Sequence, residues 1–199
     1  RRGDILDRNG TILATSEKVY NLIMDPRAIT SRTDDRYLKA SLDALKEYFK
    51  EDERVAVAES VLNEQRNLTG NKKSAYFKFK EGMSFEEKEA FQKFIDEKNA
   101  SYRKSGNKYE IKGLWFEDKY QRSYPYKDLA CNIIGFSSAD NEGGTGGVEQ
   151  YYNNSLIGVN GREYGYLDSD TKLQSVIREA TDGNSIVTTI NFNIQRTVE

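Results

Sequence analysis

The spacing of apolar residues changes character along the chain, and each change marks a different kind of element. Near the start, apolar residues come in short bursts separated by turn-formers: Ile5-Leu6, then Asp7-Arg8-Asn9-Gly10, then Ile12-Leu13. Asn-Gly between apolar runs is a strong hairpin signal, because both residues accept positive φ. A hairpin is therefore expected to open the chain, followed by a buried strand over 18–26 that Pro26 stops. From Thr33 the period becomes helical: Leu38, Leu42, Leu45 and Phe49 fall at i, i+4, i+7 and i+11. A second helix over 52–67 turns Val55, Ala58, Val61 and Leu62 inward, and 74–80 alternates like a strand. Ser84 stands three residues before Glu87, a capping box that opens a third helix with Phe91, Phe94 and Ile95 on its inner face.

A polar break over 99–108 is expected to end that helical stretch. Strand-like sequence returns in 109–125, with a hairpin expected at Glu117-Asp118. Residues 128–134 read as a short helix running into a strand, and 137–147 as a loop with four glycines. One helix then places Val148, Tyr151, Tyr152, Ser155 and Leu156 on a common face and ends at Gly158. Three strands follow (162–168, 172–180, 184–190), with turns at Ser169-Asp170 and Asp182-Gly183, and a last helix begins at 191. The pattern predicts an α+β protein: an elongated β-rich lobe built from both chain ends, about 1–32 and 108–199, and a mainly helical lobe, about 33–98, inserted between them.

Composition narrows the function classes. A length of 199 residues suffices for a real core, in one large domain or two small lobes. Charged residues make up 31% of the chain and the net charge is −2. That balance suits a heavily solvated surface and gives no basic excess for nucleic acid. Histidine is absent, which removes Ser-His-Asp and Cys-His catalysis and the usual zinc sites. Cys131 is the sole cysteine and cannot form an internal disulfide. No stretch approaches the ~20 apolar residues of a membrane span.

Ser-x-x-Lys, the nucleophile motif of serine acyltransferases, occurs at Ser101–Lys104, Ser105–Lys108 and Ser169–Lys172. Lys104-Ser105-Gly106 and Ser105-Gly106-Asn107 imitate the motif's two companions. Eight consecutive residues cannot surround a substrate, so 101–108 reads as a solvated turn. Asp140–Gly147 and Asp168-Ser169-Asp170 lack full calcium-loop spacing. Gly143–Gly147 lacks the Gly-Lys-Ser/Thr ending of a phosphate loop. Arg2-Gly3-Asp4 spells an adhesion tripeptide, which works only when exposed at a loop tip. The residues offer no cofactor motif, and the chain reads as a non-catalytic module.

Four segments, taken in order, resemble the class B penicillin-binding proteins. The opening RRGDILDRNGTILA is similar to their Arg-Gly-x-Ile-x-Asp-Arg-Asn-Gly-x-x-Leu-Ala start, on Arg2, Gly3, Asp7, Arg8, Asn9 and Gly10. QRSYPYKDLACNIIGF resembles their Arg-x-Tyr-Pro segment, on Arg122, Tyr124 and Pro125. GTGGVEQYYNNSLIGVNG resembles their Gly-Val/Leu-Glu helix, on Gly147 and Glu149. DGNSIVTTINFNIQRTVE is similar to the strand and helix that lead into their catalytic domain. Lys127 stands where the family often has Gly, and Asn191 where it often has Asp.

The resemblance implies a role. In that family a cytoplasmic tail and one membrane helix precede a non-catalytic pedestal, often labelled the dimerisation domain, and a penicillin-binding D,D-transpeptidase follows. This chain would be the pedestal, on the extracytoplasmic face of the bacterial cell membrane. Its partners would be its own transpeptidase domain, a SEDS-family glycosyltransferase and other cell-envelope proteins. The residues themselves read as structural. Arg2, Arg8 and Arg122 are planar donors suited to fixing a carboxylate, and Glu149 at a helix start suits both an arginine and the helix dipole. Two other readings stand beside this one, an adhesin-like ligand-binding module and a two-carboxylate hydrolase with a deep acidic cleft.

Overall fold

The computed structural model describes residues 1–50, 52–68, 72–138, 143–167 and 173–199, with the backbone alone at 163–167 and 173–177. In chain order the elements are β1 (Ile5–Leu6), β2 (Ile12–Met24), α1 (Pro26–Ile29), α2 (Arg36–Phe49), α3 (Glu53–Arg66), β3 (Phe77–Met83) and α4 (Phe85–Lys104). Then come β4 (Leu114–Ser123), α5 (Cys131–Ile134), β5 (Phe136–Ser137), β6 (Gly144–Thr145), α6 (Gly147–Tyr151) and α7 (Asn153–Leu156). The last are β7 (Arg162–Leu167), β8 (Leu173–Arg178), β9 (Ile186–Val187) and α8 (Phe192–Val198). The protein is mixed α+β, and it divides into two compact units: Arg1–Glu17 with Tyr120–Glu199, and Lys18–Lys119.

In the first unit β1 is the centre of pairing. It runs antiparallel to β2, with Ile5 opposite Ala14 and Leu6 opposite Ile12, and parallel to β9, with Ile5 opposite Ile186. The opening turn is a hairpin in which Gly10 takes φ +88, a left-handed value that only the residue without a Cβ adopts freely. Asn9 keeps an ordinary backbone; the turn is held instead by Asp7, whose Oδ1 accepts from the backbone N–H of Asn9 and of Thr11, both at 2.7 Å. Two smaller ladders, β5–β6 and β7–β8, and the end of β4 from Tyr120 onward also lie in this unit. Its apolar core is small: Ile5, Leu13, Ala14, Ala130, Ile134 and Leu156.

In the second unit α2, α3 and α4 pack around the distal half of β2, β3 and the start of β4. Leu22, Met24, Ile29, Leu45, Ala58, Leu62, Phe79 and Phe91 are buried together. The Phe91 ring meets Tyr48 at 4.8 Å and Phe49 at 5.0 Å in tilted or edge-on contacts. The helix starts follow local chemistry. Pro26 stops the strand and also opens α1, with Asp25 accepting from Ala28 N–H at 2.9 Å. The Ser84–Glu87 capping box forms in full.

Several sequence expectations need correction. The lobe boundaries expected near 32 and 108 fall instead at 17/18 and 119/120. Leu22, Met24, Ile29 and Ile111 are buried in the helical unit's core, so their segments belong to it. β2 is one strand of 13 residues where two were expected. The polar segment 99–104 continues α4, because Asn99 bonds both the N–H and the C=O of Ile111 and Tyr102 packs against the core. The hairpin expected at Glu117-Asp118 does not form; β4 runs straight through both, Glu117 accepting from Tyr76 OH at 2.9 Å and Asp118 pairing with Lys18. The helix expected over 148–157 is broken at Tyr152 into α6 and α7. The turn expected at Ser169-Asp170, the Ser169–Lys172 motif and Asp168-Ser169-Asp170 fall wholly or partly outside the described residues, as does part of the 137–147 loop.

Candidate functional site

Glu149 lies at the start of α6 with none of its surface exposed, and charged ligands from distant segments close on it. Arg2 Nε donates to Glu149 Oε2 at 2.7 Å, and Arg2 Nη2 donates to the Glu149 backbone carbonyl at 2.9 Å. Arg2 Nη1 reaches Asn153 Oδ1 at 2.8 Å. From β4, Arg122 Nε donates to Glu149 Oε1 at 2.8 Å, while its Nη1 donates to Gly3 O at 2.7 Å and to Ser16 Oγ at 3.3 Å. Ser16 in turn donates to Arg2 O. Among the described residues Arg122 Nη2 is the one buried side-chain donor without a protein partner. Tyr124 OH donates to Glu149 Oε1 at 3.2 Å and accepts from Ser137 N–H at 2.7 Å. Burial, and then the neighbouring Glu149 charge, push this phenol up to about 12.

Two guanidiniums fix one carboxylate in a buried site, where charge-assisted bonds are strong and an unpaired partner is costly. The helix places its Glu149 side inward for that reason. Tyr151, expected on the buried face, is 82% exposed, while Glu149, Asn153 and Leu156 occupy the inner side at i, i+4 and i+7.

The other residues singled out in the sequence take different places. Asp7 is buried beneath the opening turn, and its Oδ2 accepts from Phe192 N–H at 3.2 Å, tying the turn to the start of α8. Burial alone pushes its carboxyl up, but the backbone N–H groups of Thr11, Phe192 and Asn9 outweigh that and hold it below the ordinary aspartate value. Asn9 shapes the same turn through its backbone. Arg8 stays exposed and apart from Glu149; its backbone N–H donates to Ile190 O at 2.9 Å. Pro125 is exposed at the start of the turn after β4. Gly147 sits at φ +51, and a Cβ there would lie 2.0 Å from Ile133 O, so only glycine fits. Arg2 and Gly3 are buried, which overturns the adhesive reading of Arg2-Gly3-Asp4.

Lys127 adopts φ +50, a left-handed conformation, which accounts for the glycine that the family often has there. Asn191 is the N-cap of α8 and accepts from Asn193 and Ile194 N–H, a task that Asp performs equally well. Ser101, Lys104 and Ser105 lie exposed at the end of α4. Among the described residues, no group of three or more Cys, Asp or Glu is placed to hold a metal ion, and no helix is long and apolar enough to cross a membrane.

Sequence reasoning missed Ser16 and Asn153. Ser16 is two residues from Ala14 on the inward face of β2, and a polar residue at such a position is a readable signal. Asn153 lies four residues after Glu149, one helical turn on.

The family described as the Penicillin-binding Protein dimerisation domain matches residues 1–188. The chain belongs to that family. It is 25% identical over 173 residues to Stage V sporulation protein D of Bacillus subtilis (strain 168), covering 86% of this chain and 22% of that protein. It is 26% identical over 163 residues to the peptidoglycan D,D-transpeptidase FtsI of Buchnera aphidicola subsp. Baizongia pistaciae, covering 82% of this chain and 24% of that protein. The chain thus spans about a quarter of the length of these curated relatives. Among solved structures, penicillin binding protein 2X of Streptococcus thermophilus superposes with a TM-score of 0.60 at 24% identity, over 100% of this chain and 29% of that one. The complex of PBP2 and MreC from Helicobacter pylori gives 0.61 at 18% identity, over 99% of this chain and 36% of that one. These likenesses bear on the fold.

Proposed function

We propose that this chain is the non-catalytic pedestal of a class B penicillin-binding protein. It positions a D,D-transpeptidase above the membrane, on the outer side of the bacterial cell membrane, and offers partners a surface during peptidoglycan synthesis. The observation that carries this reading is the Glu149 cluster. It joins the first residues of the chain, β4 and α6, while β1 and β9 pair directly beside it. A module that ties its first and last strands together in this way can pass position from one end to the other. The parent is anchored by one membrane helix and acts as a serine-type transpeptidase. The partner surface is offered to a SEDS-family glycosyltransferase or to other envelope proteins, a reading favoured by the solution of the H. pylori relative together with MreC.

The test has two arms. Fluorescent penicillin is expected to leave the 199-residue chain unlabelled, since 101–108 only imitates a nucleophile site; stoichiometric label on Ser101, Ser105 or Ser169 overturns the non-catalytic reading. In the full-length parent, Glu149→Ala is expected to retain penicillin labelling while cross-linking of nascent glycan falls. Unchanged cross-linking and growth with a demonstrably loosened pedestal would sink the positioning role.

A further inference from the structure

A separate concentration of charge lies in the helical unit, away from every motif above. Thr30, Arg32, Thr33, Asp35, Arg66 and Lys73 line a cleft of about 370 Å³. Three cations there face one carboxylate, a net charge of +2. These cations are held in place. Lys73 Nζ donates to Thr30 O at 3.0 Å and to Thr30 Oγ1 at 2.9 Å, and Thr30 is buried. An ammonium has three donors, so one remains for the cleft. Arg66 is pinned by an ion pair to Asp35 and keeps further guanidinium donors. Arg32 lies over the Tyr37 ring at 5.9 Å, an arrangement that steadies the stem and leaves the in-plane N–H donors available.

Asp35 gives a second line of argument. It stands at the N-cap of α2, a position where aspartate ordinarily caps the helix, yet it makes no side-chain cap bond. It sits at φ +55, and its carboxylate goes to Arg66 instead. The contact that fixes Arg66 is thus maintained against both the local backbone preference and the capping preference. Long cationic side chains normally lose rotamer freedom when they bind an anion; here much of that loss has already occurred on folding.

We propose that this cleft binds a phosphate ester through Arg32, Arg66 and Lys73, with the Thr33 hydroxyl as a further donor. A tetrahedral anion of up to two charges matches a net +2 site whose donors come from three separate segments; a planar carboxylate would engage two donors in one plane. The inference goes beyond the pedestal reading and does not depend on it.

The experiment is a titration of the isotopically labelled 199-residue chain, followed by amide shifts. The probes are inorganic phosphate and glycerol phosphate, with chloride at matched ionic strength as the control. Saturable shifts centred on Arg32–Asp35, Arg66 and Lys73 are expected with both phosphates. Arg32→Ala, which removes an exposed side chain and leaves the Asp35–Arg66 pair intact, is expected to weaken binding about tenfold. Shifts no larger than with chloride, shifts scattered over other surface lysines, or an unchanged Kd in Arg32→Ala each overturn the proposal. Sedimentation with phosphatidylglycerol against phosphatidylcholine vesicles separates the sources. Co-sedimentation lost in Arg32→Ala supports a lipid headgroup, and glycerol phosphate binding without co-sedimentation supports a soluble or polymeric ester.

Discussion

The two units are held together by different physics. In the helical unit the core is apolar and aromatic, running from Leu22 and Met24 through Leu45 and Leu62 to Phe79 and Phe91, and its buried polar residues (Asn21, Thr30, Ser41) are neutral. Among the described residues all four buried charged side chains, Arg2, Asp7, Arg122 and Glu149, belong to the other unit, whose apolar core is small. Apolar burial is non-directional, so a core of that kind tolerates volume-conserving exchange. A buried ion cluster tolerates almost none, because each partner leaves an uncompensated charge when it is removed. One unit therefore constrains residue character and the other constrains residue identity. The four segments that resemble the class B penicillin-binding proteins all fall in the first unit.

The largest expected effects test this contrast directly. Glu149→Ala should cost about 3–5 kcal/mol, read by denaturant unfolding, because two guanidiniums lose their counter-charge. Phe91→Ala should cost a similar ~3–5 kcal/mol in the helical unit through its cavity. Here the two diverge: Phe91→Leu should recover most of the loss although it is smaller, whereas Glu149→Gln, which keeps the shape, should not. Equal rescue at both sites would erase the distinction. A smaller effect is expected from Arg122→Lys, which keeps the charge but cannot reach Glu149, Gly3 and Ser16 at once; roughly 1–3 kcal/mol should be lost.

Smaller again, Tyr124→Phe should cost about 1 kcal/mol. It also carries a pH signature. Burial, and then the Glu149 charge, push the folded phenol up to about 12 from its ordinary 10.0. Its contribution is thus complete below pH 10 and is lost as pH rises toward 12. Stability measured across that window should fall more steeply in the parent chain than in Tyr124→Phe, and identical slopes would count against the Tyr124–Glu149 contact. Lys127→Gly runs the other way. Relief of the left-handed backbone at φ +50 should raise stability by up to ~1 kcal/mol, read by denaturant unfolding.

Legibility in the sequence followed the same divide. Periodicity found α2, α3 and the start of α4 because a helix against an apolar core repeats its inward residues at regular steps. It failed on α6 and α7, where Glu149 turns inward and Tyr151 and Tyr152, two members of the expected stripe, face solvent while Leu156 stays buried. It also ended α4 too early, since Asn99 and Tyr102 are anchored by residues far along the chain that local spacing cannot see. Arg2, Arg122 and Glu149 were readable as a matched set of charges, but residue type alone could not separate them from Arg8, which remains in solvent. The cleft at Arg32 carried no signal, because its donors come together only in the fold.

The pairing of Ile5 with Ile186 has a consequence for how the molecule comes into being. The helical unit is one continuous stretch, Lys18–Lys119, and can complete its core while later residues are still being made. The other unit cannot. At a synthesis rate of about 5–20 residues per second, Ile5 waits roughly ten to forty seconds for its parallel neighbour. Throughout that interval one edge of β1 lacks its partner strand and stays open to wrong strands. The first strand of this chain completes its pairing only when nearly all of the chain has been made.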